Sequence, residues 1–430
     1  MIAIYNIIFH IGFLFMLPVF LFRMLYLNKY RAGLPQRFGF YPQEVRRKLR
    51  GDKTIWIHSV SVGEVIAAQP LIALLKSRYP ESDFVVSTTT NTGNQVAQKY
   101  AGSNDTVIYY PIDFPWAVKR AVQAVNPKLF IMLETELWPN MIRTMGINNV
   151  PVFLVNGRVS DNSYGWYRKA VPVLKVVFKY ISAFIMQAEL DAERVTSLGA
   201  SPEKVSYAGS LKYESAIGDE PEADEIMGMA SDLGIQAGDT VIIGGSTHER
   251  EEEMLIKAFG KAKKECVSAK LILAPRHPER FSRVIALVKE SGFVYSTRKK
   301  IREFNSEERK KREIIVLDTI GELKKVYNLG NIVFIGKSMF GRGGQNILEP
   351  AAAGKTIIAG PHMENFRDIM TQFINAKACV IVNNEIEFEE KLVSLCRDKA
   401  VSKEFGRRAK NLVVANCGAA SRIADKITNM

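Results

Sequence analysis

Short apolar runs rich in Val and Ile alternate with amphipathic stretches along most of the chain, after an opening stretch without charge. The runs at 54–60, 83–89, 107–111, 129–134, 151–155, 183–187 and 205–208 predict strands. Helical stretches such as 64–78, 114–125 and 166–180 lie between them. Near-continuous apolar strands separated by helices predict a parallel sheet covered on both faces. From 214 to 239 the chain turns acidic and poor in bulky apolar groups, which reads as a linker region. A second series follows, with strands near 240–244, 270–274, 313–317, 331–335, 355–359 and 378–382. The charge run 298–313 predicts a solvated loop or helix face. The expected fold class is therefore α/β, with two doubly wound Rossmann-like domains and a cleft between them. The expected boundaries are an anchor at 1–27, a first domain at 28–213, a linker at 214–239, a second domain at 240–400 and a helical segment at 401–430.

Residues 1–22 contain no Asp, Glu, Lys or Arg. A helix of that length reaches about 33 Å, enough to cross a hydrocarbon core of about 30 Å. A cleaved signal peptide fits poorly, because no basic segment precedes the apolar run and no small-residue cleavage site follows it. Arg23, Lys29, Arg31, Arg37, Arg46, Arg47, Lys48 and Arg50 come next and would hold the body on the cytoplasmic side. Pro18, Asn6 and His10 keep an anchor lying in the membrane interface open beside a single span.

Composition narrows the classes. At 430 residues, 47% hydrophobic and 24% charged, the chain has room for two ordinary globular domains. Its 58 basic against 45 acidic residues give +13, which calls for an anionic partner: nucleic acid, a membrane surface or a phosphorylated substrate. Much of that excess lies beside the anchor and no nucleic-acid recognition motif appears, so nucleic acid is set aside. Cys266, Cys379, Cys396 and Cys417 are far apart and form neither a disulfide frame nor a zinc knuckle. Thr247-His248-Glu249 lacks the second histidine of a zinc-protease helix.

The chemistry-bearing residues sit where strands end. Ile55 to Glu64 is an apolar strand, a small-residue turn and a carboxylate at the start of a helix, the place where open α/β sheets bind ligands. A carboxylate there can take a proton from an alcohol; Ser61-x-x-Glu64 also fits a capping box that only starts the helix. Glu134 and Glu136 follow another strand, where two carboxylates must be solvated, paired or used. Arg276 follows a third and offers a donor fork to a phosphate, or simply a surface salt bridge. Gly343-Gly344-Gln345-Asn346-Ile347-Leu348-Glu349 permits close backbone approach before a helix, and Glu349 could accept from ribose hydroxyls. Neither the nicotinamide fingerprint nor the ATPase phosphate loop is present.

Taken in order, His58 to Glu64, Glu134 to Pro139, Gly209 to Lys212, Ser246 to Glu249, Pro275 to Arg280 and Asn346 to Glu349 resemble the 3-deoxy-D-manno-octulosonic acid (Kdo) transferases. The likeness covers almost the whole chain, anchor and basic flank included. It implies a GT-B glycosyltransferase, inverting and without metal or cofactor. Such an enzyme moves Kdo from CMP-Kdo onto a lipid A precursor (lipid IVA) in lipopolysaccharide core biosynthesis, at the cytoplasmic face of the anionic inner membrane. By the resemblance, the first domain binds the acceptor and the second binds CMP-Kdo. It makes Glu64 the general base and assigns Glu134 and Lys212 to transition-state stabilisation. Pro275, Arg276, Ile320, Gly321, Glu322, Asn346, Ile347, Leu348 and Glu349 match the CMP-binding segments. The last helical stretch, about 402–428, would cross back to the first domain. Two departures stand out: Lys337 where the family commonly has Gly, and Gln345 where His is usual. The competing readings are a different GT-B enzyme with another sugar nucleotide and a lipid acceptor, and a non-catalytic module that binds anionic lipid.

Overall fold

The computed structural model describes residues 1–26, 31–49, 53–218 and 221–429. The 27/28 boundary, Lys29, Arg50, the linker residues Asp219 and Glu220, and Met430 lie outside the described residues. The chain forms two compact units: residues 1–215 with 417–430, and residues 216–416.

The first unit is built on seven parallel strands: β1 (Thr54–Ser59), β2 (Asp83–Thr88), β3 (Thr106–Tyr109), β4 (Leu129–Leu133), β5 (Val152–Gly157), β6 (Ala183–Met186) and β7 (Val205–Tyr207). Their order is β3-β2-β1-β4-β5-β6-β7. The chain thus winds outward one way from β1 and returns to place β4 beside it. The carboxyl ends of β1 and β4 therefore flank the switch point of the sheet, where open α/β folds make their binding crevice.

Side chains alternate across the sheet with period two. Ile55, Ile57, Ile131, Leu133 and Val155 feed one apolar layer, and Trp56, Phe130, Met132, Leu154 and Phe184 the other. The buried indole of Trp56 donates to the Ser87 hydroxyl at 2.8 Å. The last helix, Ala419–Thr428, belongs to this unit and puts Ile423, Ala424 and Ile427 into the first layer. Glu214 receives the amide of Ala420 at 2.9 Å and that of Gly418, which caps the helix with a carboxylate. Arg78 of the helix Val62–Arg78 pairs with Asp425 at 2.5 Å.

The second unit also has seven parallel strands: β8 (Thr240–Thr247), β9 (Ala269–Pro275), β10 (Tyr295–Thr297), β11 (Ile314–Val316), β12 (Ile332–Ile335), β13 (Thr356–Ala359) and β14 (Val380–Ile381). The order β10-β11-β9-β8-β12-β13-β14 places its switch point between β8 and β12. Strand β10 was not expected, since Tyr-Ser-Thr at a sheet edge carries no apolar run to mark it.

Two further expectations change. The acidic 214–239 segment carries the end of the helix Leu211–Ile217 and the helix Ala223–Asp232, whose Glu225 pairs with Lys325 at 3.0 Å. The charge run 298–313 is not uniformly solvated. Arg298 keeps 7% side-chain exposure between Asp232 (3.4 Å) and Glu322 (3.2 Å).

The helix Ile2–Tyr26 has no fully buried residue. One face, through Tyr5, Asn6, Phe9 and Phe13, rests on the first unit, while Ile4, Ile8, Ile11, Phe15 and Phe22 point outward. Arg31 closes its carboxyl end by donating to the carbonyls of Met24 (2.8 Å) and Leu25 (3.1 Å).

Candidate active site

Glu64 lies in the first turn of the helix Val62–Arg78, just beyond β1. Its carboxylate accepts the Val60 amide at 2.7 Å and the Ser61 hydroxyl at 2.8 Å. Ser61 makes no side-chain bond to a helix amide, so this is not the reciprocal capping box. The carboxylate is held by two donors and only 8% of the residue is exposed. Burial pushes its pKa up to about 7, and the negative charges of Glu134 and Glu136 add to that against the two donors. Such a group is poised to accept a proton near neutral pH.

Glu134 follows β4 across the switch point. Its φ of 55° is left-handed, a conformation that costs a non-glycine residue about 1–2 kcal/mol. Lys212 Nζ stands 3.0 Å from its Oε1, both side chains about a quarter exposed. The lysine is placed by β5: Asn156, itself at φ 54°, accepts the amide of Leu211 at 3.0 Å. The three residues assigned to catalysis from the sequence thus come from the ends of β1 and β4 and from the helix tied to β5.

Glu136, which had no assigned role, is also drawn in. It accepts the Trp138 indole N–H at 3.0 Å, and burial, with Glu134 adding, raises its pKa. His58, by contrast, is wholly buried on β1. It stacks on Tyr110 with ring centroids 3.6 Å apart and bonds Ser87 Oγ at 3.0 Å. Burial drives its pKa down to about 3, so it stays neutral and acts as a packing group.

In the second unit, β9 ends at buried Pro275 and delivers Arg276 to the surface, its amide bonded to the Thr247 carbonyl at 3.0 Å. Asn346 donates to Glu349 at 3.0 Å and accepts the Leu348 amide at 3.0 Å. Burial raises the Glu349 pKa, opposed by Asn346 and by the charges of Lys324 and Arg276. Arg276, Lys324, Asn346 and Glu349 are therefore neighbours; Lys324 escaped the sequence reading because, beside Lys325 on a helix, it reads as an ordinary solvated lysine.

Ile347 and Leu348 are essentially fully buried, so these two residues fix the turn from within. Gly343 and Gly344 have φ of 106° and 66°, and a Cβ on Gly344 would meet Met363 Sδ at 2.2 Å. Ile320 is 80% exposed and Gly321 is left-handed at φ 90°. Glu322 is engaged by Thr319 and Arg298. Burial opposes its ionisation, but those two partners outweigh it and hold the pKa below the usual range.

At the switch point of this unit, Glu251 accepts the amides of His248 (2.8 Å), Lys337 (2.8 Å), Ser338 (3.1 Å) and Met339 (3.2 Å). The carboxylate staples β8 to β12 from inside and leaves Lys337, at φ 59°, on the loop. Arg280 is likewise structural, forked on Glu252 at 3.1 and 2.9 Å. Among the described residues, no three His, Cys, Asp or Glu side chains group closely enough to hold a metal ion.

A family model described as 3-deoxy-D-manno-octulosonic-acid transferase (kdotransferase) matches residues 32–215. The 3-deoxy-D-manno-octulosonic acid transferase of Haemophilus influenzae is 32% identical over 92% of this chain and 91% of its own. The enzyme of the same name from Bordetella pertussis is 31% identical over 87% and 86%. Among solved structures, a UDP-GlcNAc 2-epimerase from Neisseria meningitidis bound to UDP-GlcNAc superposes with a TM-score of 0.60 at 10% identity, over 88% of this chain and 100% of that one. Anabaena HepE in complex with UDP gives 0.58 at 12% identity, over 88% and 100%. These two likenesses speak for the GT-B type of fold alone. The sequence relatives establish that the chain belongs to the 3-deoxy-D-manno-octulosonic acid transferase family of glycosyltransferases.

Proposed function

We propose that the protein transfers Kdo from CMP-Kdo to a lipid A precursor, with Glu64 as general base, inversion at the anomeric carbon and no metal ion. The observation that carries this reading is the buried carboxylate of Glu64, poised near neutral pH beside the Glu134–Lys212 pair at a sheet switch point. In this reading Glu64 takes the proton of the acceptor's primary hydroxyl as its oxygen bonds to the anomeric carbon of Kdo. The bond from that carbon to the CMP phosphate breaks, and its electron pair leaves with the phosphate.

Glu134 favours the positive character that develops on the sugar, and Lys212 orients that carboxylate. Arg276 and Lys324 favour the charge that grows on the leaving phosphate. CMP is already an activated leaving group, so these cations suffice. The outward apolar face of the helix Ile2–Tyr26, long enough to cross a membrane, anchors the body to an anionic bilayer on its cytoplasmic side.

Mass analysis of a tetraacyl lipid A precursor after incubation with the detergent-solubilised protein tests the donor. A gain of one or more Kdo masses from CMP-Kdo, and none from UDP-sugars, is expected. The reverse pattern would assign a different sugar nucleotide. The same product formed in the presence of a chelator is the expected result for a reaction without metal.

A further inference from the structure

The charge-free part of the opening helix carries Tyr5 and Asn6, polar residues that a simple apolar tether has no use for. Both are bonded to the first unit, and at one place. The Tyr5 hydroxyl donates to Asp113 Oδ2 at 2.9 Å. Asp113 also accepts the amides of Asn140 and Met141, each at 3.0 Å, which open the helix Pro139–Ile147. The Asn140 side-chain amide donates to the Asp113 carbonyl at 2.6 Å and to Asn6 Oδ1 at 2.7 Å. Asp113 is 0% exposed and Asn140 4%. Among the described residues, no basic side chain forms an ion pair with Asp113, so its carboxylate is oriented by those three donors. Beside it, Phe114 packs on Phe9 and Phe13 of the opening helix, with ring centroids 5.4 and 5.0 Å apart.

The helix that Asp113 caps is continuous with the acidic loop. Glu134, Thr135, Glu136, Leu137 and Trp138 run directly into Pro139, and Glu136 is bonded to Trp138. Whatever fixes the first turn of that helix fixes the downstream end of the loop. Its upstream end is fixed by β4.

We propose that Asp113 is a positioning residue that joins the membrane-anchor helix to the acidic loop, so that the anchor takes part in placing Glu134 and Glu136. This rests on the catalytic reading above. The anchor is then a structural arm of the active site. Loss of its polar contacts loosens the loop without touching the donor-binding turns of the second unit.

The test is steady-state kinetics of the full-length protein in detergent, with CMP-Kdo and a tetraacyl lipid A precursor, for wild type, Tyr5→Phe and Asp113→Asn. Tyr5→Phe removes a single hydroxyl at a half-buried site and keeps the fold, so it decides the matter if Asp113→Asn folds poorly. Expected are a kcat reduced about five- to tenfold in Tyr5→Phe and more in Asp113→Asn, with KM for CMP-Kdo unchanged. The acid limb of the pH–rate profile should also move below its wild-type midpoint, because Glu134 and Glu136 relax away from Glu64. A folded Tyr5→Phe protein with wild-type kcat and the wild-type acid limb would overturn the proposal. Inactive wild-type protein on this donor and acceptor would instead defeat the catalytic reading beneath it.

Discussion

Glu64, the proposed base, is a carboxylate whose burial costs the fold stability. Its pKa is raised from an ordinary 4.5 to about 7, so the folded protein holds this proton more tightly than the unfolded chain does. The stability linked to that proton is fully present below pH 4.5 and is lost as pH rises through 7. Ionised Glu64 therefore costs about 3 kcal/mol at pH 8. Glu64→Gln keeps an oxygen for the Val60 amide and removes the charge. It should lower kcat by about 10²–10⁴ while raising the urea midpoint at pH 8; equal activity, or a destabilised variant, would contradict the assignment. Lys212→Met should behave differently. The pair it breaks is about a quarter exposed and is worth at most about 1 kcal/mol of stability. Its loss in kcat should reach about 10–10³, and adding Glu134→Gln should cost much less than the product of the two single effects, as a coupled pair requires. At this scale the sequence was most informative where a strand end met a carboxylate. It did not distinguish Glu64 from a helix cap, because that difference lies in which way the Ser61 hydroxyl points. It also left Glu136 without a role, and it gave no sign that Glu322, matched by resemblance to a CMP-binding segment, pairs with Arg298 within the unit.

Strands and helices were legible for a simple reason. Parallel strands buried on both faces must be apolar throughout, and helices covering them must be two-faced, so β1 to β9 and β11 to β14 announce themselves within a few residues. Strand β10 did not, being three polar-to-aromatic residues held at the edge by pairing with β11. The charge run from Arg298 hides a buried arginine for the same reason: its partners Asp232 and Glu322 are distant in sequence. Arg298→Met should destabilise the second unit by about 2–3 kcal/mol in denaturant titration, less than for a fully buried pair because both carboxylates are partly solvated. Deletion of residues 417–430 should instead unfold the first unit at lower temperature, since it exposes the layer filled by Ile423 and Ile427. An unchanged first-unit transition would show that this helix is dispensable.

Across the whole molecule, the proposed base Glu64 and the residues proposed to bind the donor fall on different compact units, and the helix Ile2–Tyr26 belongs to the first. The apolar stripe of Ile4, Ile8, Ile11, Phe15 and Phe22 faces outward, while Tyr5, Asn6 and Phe9 bind the body. Replacing residues 1–26 by an unrelated apolar helix should therefore restore sedimentation with anionic vesicles yet leave kcat below wild type. Full recovery of kcat would reduce the helix to a tether. The central claim, that Glu64 of the free enzyme is the base, is tested most directly by kcat/KM for the acceptor between pH 5.5 and 8.5. The account predicts a tenfold fall per pH unit below a midpoint near 7, and no such limb in the residual activity of Glu64→Gln. A flat profile across that range, or the same acid limb in the variant, would contradict it.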